Sequence, residues 1–288
     1  MKIGLNVIRA RTEDYLAIAA KADELGYDLL MASDHLACPP VLPQTYPYSE
    51  DGAPPFTPQA PWLDPILALT YIAAATKRIR LATGVYILPL RHPTHVAKAV
   101  ATLDVLSRGR VIFGVGTGWM REEFEAAGQD YDSRGKRTME MVEVMRRLWT
   151  EDVASFKGRF FTLGPITFEP KPFQKPHPPV HFGGETPVAL RRAAQAGDGW
   201  MGMRHTPESA REAVAKLTAL RREYGRDKEP FEVTVQCGLP PTADNLKRLR
   251  EAGVDRASVS PWVRGASLSS AEMIAGMERF ADDVMAKL

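Results

Sequence analysis

The chain is poor in the residues that most readily advertise chemistry. It has two cysteines in 288 residues, Cys38 and Cys237, far apart and in no metal-spaced pair; a reduced, cytoplasmic setting is the expectation. No apolar run approaches the roughly 20 residues that a membrane helix needs. "KIGLNVI" enters directly as a strand-like stretch, without a basic and then apolar leader, so no signal peptide is expected. A formal charge of +2 is too small to argue for nucleic acid or an acidic membrane as partner. A small molecule remains. The 44% hydrophobic and 25% charged residues are those of an ordinary soluble globular protein.

What is present is a repeated phrase. "KADELGYDLLMAS" (21–33), "RAAQAGDGWMGM" (192–203) and "RLREAGVDRASVS" (248–260) each run from a helix end through a glycine to a short strand. Gly26, Gly197 and Gly253 suit the left-handed residue beyond a helix C-terminus. Measured by this phrase, strands are expected at 2–8, 27–33, 79–85, 110–115, 179–183, 199–203, 231–237 and 256–260. Helices are expected at 12–25, 63–76, 93–107, 134–150, 187–196, 207–224, 242–252 and 270–287. Val96, Ala99, Val100, Leu103 and Leu106 share one face of the third helix, and Met141, Val144, Met145 and Leu148 one face of the fourth. Eight βα units read as an α/β fold of the (β/α)8 TIM barrel type, one domain over 1–288. A doubly wound sheet would have about six strands, with its glycine loop after the first. Here "GVGTGW" follows the fourth, and Trp119 stands where G-x-G-x-x-G wants its third glycine.

Two stretches exceed a minimal barrel. The insertion after the second strand, 36–62, holds eight prolines with Tyr46, Tyr48, Phe56 and Trp62. It belongs on the C-terminal face, as a lid or substrate wall, or equally as a loose surface loop or subunit contact. The insertion before the fifth strand, 154–179, reads as a hairpin turning near Lys157-Gly158 with a structural role.

The strand ends of a barrel converge on one mouth. The second strand ends at Ser33-Asp34-His35, the third at Thr83-Gly84-Val85-Tyr86, the fourth at Gly116-Thr117-Gly118-Trp119. The fifth ends at Gly183-Gly184-Glu185-Thr186, the sixth at Met203-Arg204-His205, and the eighth at Ser260-Pro261-Trp262 with Arg264 beyond. Glycines ending three strands let backbone approach a flat ligand. Thr186 and Pro187 open a helix whose N–H groups could seat a phosphate, against which Glu185 weighs. Asp34-His35 is the one clear acid/base pair at the mouth, although such a pair often only caps and hydrogen-bonds. His92 and His95 start a helix, His177 is structural, and His181 or His205 could reach the interior. No His-x-His opens the first strand and no His-Glu-x-x-His occurs, so no metal is expected. No Gly-x-Ser-x-Gly elbow and no strand-ending lysine occur either. A glycine-walled pocket with few acids or bases suits a cofactor that carries the reaction itself.

Four blocks, "ELGYDLLMASDHL", "RIRLATGVYILPLRHPTHVAKAVATLDVLSRGRVIFGVGTGW", "PKPFQKPHPPVHFGG" and "AQAGDGWMG", resemble the bacterial luciferase-like monooxygenase superfamily over nearly the whole chain. They look most like its branch that uses the deazaflavin coenzyme F420; FMN-using relatives share most of them. The resemblance implies a ring at the C-terminal mouth and a phosphate near the fourth to sixth strands. It implies a non-prolyl cis peptide at Gly84-Val85 or its neighbour, and a homo-oligomer, dimer or larger. Matched by position, Thr83, Gly84, Val85 and Tyr86 would buttress the ring. Gly116, Thr117, Gly118 and Trp119 would contact the cofactor, and Gly183 and Gly184, followed by Thr186, would hold the phosphate. His35 would move the proton, assisted by Asp34. Members that reduce a sugar phosphate carry extra cations, and only Arg204 and Arg264 offer themselves, so that substrate is not supported. The expected activity is hydride transfer between F420 and a small organic substrate. An FMN-dependent monooxygenase and a non-catalytic flavin-binding barrel are the alternatives.

Overall fold

Leu29–Ala32 is buried at every position, as a parallel strand covered on both faces should be. The computed structural model describes residues 1–6, 11–262 and 269–288. The strands are β1 (Lys2–Asn6), β2 (Leu29–Ala32), β3 (Arg80–Thr83), β4 (Tyr86–Ile87), β5 (Val111–Gly116), β6 (Ala154–Lys157), β7 (Thr162–Ile166), β8 (Val180–Gly183), β9 (Gly199–His205), β10 (Glu232–Cys237) and β11 (Arg256–Val259). The α-helices are α1 (Tyr15–Glu24), α2 (Pro65–Ala75), α3 (Pro93–Leu106), α4 (Arg121–Ala126), α5 (Arg134–Thr150), α6 (Pro187–Ala196), α7 (Pro207–Glu223), α8 (Ala243–Glu251) and α9 (Ser270–Asp283).

The strands run β3-β2-β1-β11-β10-β9-β8-β5 in parallel, and β5 pairs with β3 to close the ring. This is the (β/α)8 TIM barrel. Leu29, Met31, Ala82, Ile112 and Met201 fill its interior. Helix starts are set locally: Asp64, His92, Thr186 and Thr206 cap α2, α3, α6 and α7 by accepting from backbone N–H groups, each with proline in the first turn. The predicted apolar stripe of α5 is wholly buried; that of α3 buries Val96, Val100 and Leu103 but leaves Leu106 exposed.

Three departures from the sequence reading are informative. The third strand, expected as 79–85, stops at Thr83 and resumes at Tyr86 as β4, with the Gly84-Val85 peptide cis between them. Gly26 and Gly253 take the left-handed conformation after their helices, at φ +80 and +91. Gly197 instead is extended, at φ −85. It is glycine for lack of space, since a Cβ there would meet the Ala193 carbonyl oxygen at 2.6 Å. Helix α4 was not anticipated at all. The 154–179 insertion does form an antiparallel hairpin, β6 with β7.

The N-terminal end of the barrel is closed by charge. Arg256 has no exposed side-chain surface and donates to Asp28 at 2.6 Å and Glu232 at 2.8 Å. Its Nη1 also donates to Thr234 Oγ1 at 3.0 Å, and Lys2 reaches Glu232 at 2.7 Å. Burial opposes the Glu232 carboxylate, yet hydrogen bonds and charge from Arg256, with Lys2, hold it down at about 2. His181, fully enclosed beside it, is pushed by burial from 6.5 to about 4.

Both shifts give stability the same slope. Below pH 6.5 the unfolded chain takes up a proton on His181 that the native barrel refuses until about pH 4. Below pH 4.5 the unfolded chain protonates Glu232 while the native state resists to about pH 2. Stability should therefore fall continuously from pH 6.5 to 2, each group contributing on the order of 3 kcal/mol over its window. Thermal melts across that range check this, and His181→Gln should flatten the upper half alone.

Candidate active site

At the C-terminal end the strands open into a cavity of about 1220 Å³. Its outer wall is the 36–62 insertion, which carries no helix or strand and lays Tyr46, Tyr48, Phe56 and Trp62 along the opening. Of the roles left open for this stretch, it is a wall of the pocket. The rings pack edge to face: Phe56 on Trp62 at 5.1 Å, Tyr46 on Tyr48 at 5.3 Å and on Trp119 at 5.3 Å.

His35 sits inside that wall, with ring centroids 4.9 Å from Phe56, 4.7 Å from Trp62 and 6.2 Å from Trp119. Its Nδ1 faces the two carboxylate oxygens of Glu123 at 3.2 and 3.3 Å. Glu123 has no exposed side-chain surface and also accepts from the Leu36 N–H. A carboxylate at Nδ1 selects the tautomer with its proton there, which leaves Nε2 as the nitrogen that can accept one. The acid beside His35 is therefore Glu123 on α4, not Asp34.

Asp34 is committed elsewhere. It accepts from both terminal nitrogens of Arg91, one at 2.9 Å, and from the Ile87 N–H at 2.9 Å. Arg91 in turn lies 4.3 Å over the Tyr86 ring. This buried pair anchors the segment that follows Gly84-Val85. Thr83 and Tyr86 belong to the same scaffold rather than to the cavity lining. The Thr83 hydroxyl donates to the Gly114 carbonyl at 2.7 Å, and Tyr86 is 4% exposed against Phe113. From the front, Ser33 Oγ donates to the Gly84 carbonyl at 2.9 Å.

Gly84, Val85, Gly116, Thr117, Gly118, Trp119, Gly183, Gly184 and Thr186 all line the cavity. Two of the glycines make room for a side chain as well as for any ligand. A Cβ on Gly116 would lie 2.5 Å from a Val85 methyl, and one on Gly183 2.8 Å from the other. Val85 is thus wedged between β5 and β8, and its surface is the floor next to the mouth.

Beyond Gly184 the cavity becomes cationic. Arg134, Lys136 and Arg192 line it near the N-terminal ends of α5 and α6. Arg134 stacks 3.6 Å over the Tyr131 ring and donates to the Gly118 carbonyl at 3.2 Å. Burial, and then the nearby Arg134 charge, push the Arg192 guanidinium down. Among the described residues no carboxylate bonds either arginine. Two cations left unneutralised over an open space, beside the α6 N–H groups, make a place for an anion. Glu185 does not oppose it, because it turns aside to accept from the Met203 N–H at 2.7 Å and to meet His205 Nε2 at 3.0 Å. His205 is spent on that contact and on Ser209. Arg204 is exposed at the rim and reaches the Tyr48 carbonyl at 3.4 Å; Arg264 lies outside the described residues.

The sequence reading missed Glu123, Arg134, Lys136 and Arg192. For Glu123 a signal existed: "REEF" follows the glycine run at once, and an acid one helical turn in returns toward the mouth. The arginines carry no local mark, since what distinguishes them is the absence of carboxylate partners among the described residues. Among the described residues no three His, Cys, Asp or Glu side chains stand as a metal-ligating group. No described helix is long and apolar enough to cross a membrane.

Known proteins resemble this chain in sequence and in fold. An uncharacterized protein of Mycobacterium tuberculosis is 34% identical over 278 residues, 95% of each chain. The F420-dependent glucose-6-phosphate dehydrogenase of Amycolatopsis mediterranei is 30% identical over 94% of this chain and 77% of its own. Among solved structures, an F420-dependent secondary alcohol dehydrogenase bound to an F420–acetone adduct superposes with a TM-score of 0.78 at 22% identity. That match covers 100% of this chain and 99% of that one, and it shows the barrel. The FMNH2-dependent dimethylsulfone monooxygenase of Pseudomonas putida also matches, 30% identical over 51% of this chain and 41% of its own. The family model for luciferase-like monooxygenases matches residues 5–273, and the chain belongs to that family of flavin- and F420-dependent oxidoreductases and monooxygenases.

Proposed function

We propose that the protein is an F420-dependent oxidoreductase that transfers a hydride between the deazaflavin and a small organic substrate. One observation carries the reading: a single cavity is lined both by an unneutralised cation pair, Arg134 and Arg192, and by His35, paired with Glu123 inside an aromatic wall. The residues fit an elongated cofactor with an anionic chain and a flat ring. Arg134, Arg192, Lys136 and the Gly184–Thr186 turn would hold the anionic part, and Val85 would lie beside the ring. When bound, F420 supplies a carbon centre that gives or takes two electrons as hydride.

This chain's side chains then have three tasks. Phe56, Trp62, Trp119 and Tyr46 exclude water and present an apolar face to the substrate. His35 Nε2 gives or receives the one proton that accompanies hydride transfer at a carbonyl or hydroxyl oxygen. Glu123 keeps Nδ1 protonated and the ring oriented. The aromatic wall suits a neutral substrate better than a phosphorylated one.

Titration with F420 and with FMN, followed by fluorescence quenching, tests the proposal. F420 should bind with the lower Kd and support turnover with a panel of alcohols and ketones. Preferential binding of FMN would replace the proposal with a monooxygenase. Tight binding of F420 without turnover on any substrate would leave a carrier or sensor.

A further inference from the structure

Two guanidinium groups lie over the Tyr131 ring, Arg134 at 3.6 Å and Arg121 at 4.3 Å from its centroid. They differ in how their charge is met. Arg121 is half-exposed and donates to the Asp132 carboxylate at 2.9 Å. Arg134 lines the cavity and donates only to backbone, from Nε to the Gly118 carbonyl at 3.2 Å and from Nη1 to the Tyr131 carbonyl at 3.0 Å. Neither carbonyl cancels its charge. Gly135, the next residue, brings the second cation close: a Cβ there would lie 2.1 Å from a terminal nitrogen of Arg192. The two like charges thus stand side by side, an unfavourable arrangement until an anion joins them. The other contacts of Arg134 lead to the aromatic wall. Gly118 is left-handed, at φ +76, and a Cβ on it would lie 2.7 Å from the Phe124 ring, so this turn is seated closely on α4. The Tyr131 ring packs edge-on against Phe124 at 5.4 Å, and its hydroxyl donates to the Trp119 carbonyl at 2.9 Å. The Trp119 ring in turn meets Tyr46 at 5.3 Å and His35 at 6.2 Å. One chain of contacts runs from an unneutralised cation to the rings around His35.

We propose that Tyr131 is a positioning residue that couples the anion site to the aromatic wall: an anion at Arg134 and Arg192 fixes Arg134 on the Tyr131 ring, and the Tyr131 hydroxyl fixes Trp119. The inference rests on the anion site of the reading above and goes beyond it by tying occupancy of that site to the shape of the substrate pocket. A guanidinium is a rigid plane, so one that serves two carbonyls and a ring face cannot turn toward an anion without moving or tightening what it holds. Coupling between sites is carried by packed side chains and hydrogen bonds of this kind.

Inorganic phosphate is the probe, because it can occupy the anion site without bringing a ring against the wall. In protein labelled with fluorotryptophan, the fluorine resonance of Trp119 is the one of five that Trp119→Phe removes. Phosphate should shift that resonance saturably, with the Kd that calorimetry gives. Tyr131→Phe keeps the ring under Arg134 and loses the hydroxyl, so it should bind phosphate with a near wild-type Kd, which a misfolded variant cannot do, and lose most of the Trp119 shift. Arg134→Lys keeps the charge but not the planar fork, and should likewise bind phosphate without moving Trp119. Arg134→Met should weaken phosphate binding itself by roughly 10- to 100-fold. A Trp119 shift that survives Tyr131→Phe and Arg134→Lys, or no shift in the wild type at saturating phosphate, overturns the coupling and leaves the anion site standing. No saturable binding of phosphate removes the anion site and the coupling together, and the F420 titration above then decides the cofactor reading by itself.

Discussion

Replacing His35 with Asn should lower kcat by roughly 10²–10⁴-fold, the usual worth of a positioned general acid or base, while the Kd for the cofactor changes by a few-fold at most. The separation follows from where the ring sits. His35 is surrounded by Phe56, Trp62 and Trp119 and pairs with Glu123, whereas the cations that would hold the cofactor are Arg134 and Arg192. Asn keeps a polar group of similar reach but neither gives up nor takes on a proton near neutral pH. Glu123→Gln, measured in the same series, should reproduce part of the kcat loss, because the neutral amide holds the His35 ring less firmly than the carboxylate does. An unchanged kcat in the His35 variant would take this residue out of the chemistry and leave it as packing for the wall.

The largest stability effect is expected at the other end of the barrel. Arg256→Met removes a side chain with no exposed surface and leaves Asp28 and Glu232 facing a closed interior. Breaking a buried ion pair by deleting one partner costs about 3–5 kcal/mol. Here the carboxylates retain 27% and 18% side-chain exposure, so the lower end, about 3 kcal/mol, is the expected value. Urea or thermal denaturation at pH 7 measures it. A loss below about 1 kcal/mol would mean that water reaches both carboxylates once the guanidinium is gone. The same substitution should weaken the acid sensitivity assigned to Glu232, since Arg256 is what holds that carboxyl at about 2.

Comparison of the two levels, residue by residue, shows where local information ends. The eight strands, the two insertions and the Thr186-Pro187 helix start were legible because each depends on neighbours in sequence: proline in the first turn, a capping oxygen before it, a glycine after a helix at Gly26 and Gly253. Gly197 was misjudged because its constraint comes from the Ala193 carbonyl and not from a turn. Asp34 was paired with His35 on adjacency, yet adjacent residues leave a strand on opposite sides. The Asp34 carboxylate meets Arg91, 57 residues on, and His35 meets Glu123, 88 residues on. Thr83 and Tyr86 flank the cavity-lining pair Gly84-Val85, but their side chains turn into the scaffold.

By itself, then, the sequence determined the barrel and the strand ends that converge on its mouth, because period and punctuation are properties of consecutive residues. Only the tertiary structure decided that Glu123 is the acid beside His35 and that Arg134 and Arg192 stand without a carboxylate. Those are properties of what is missing or present across space, and no single stretch of chain contains them.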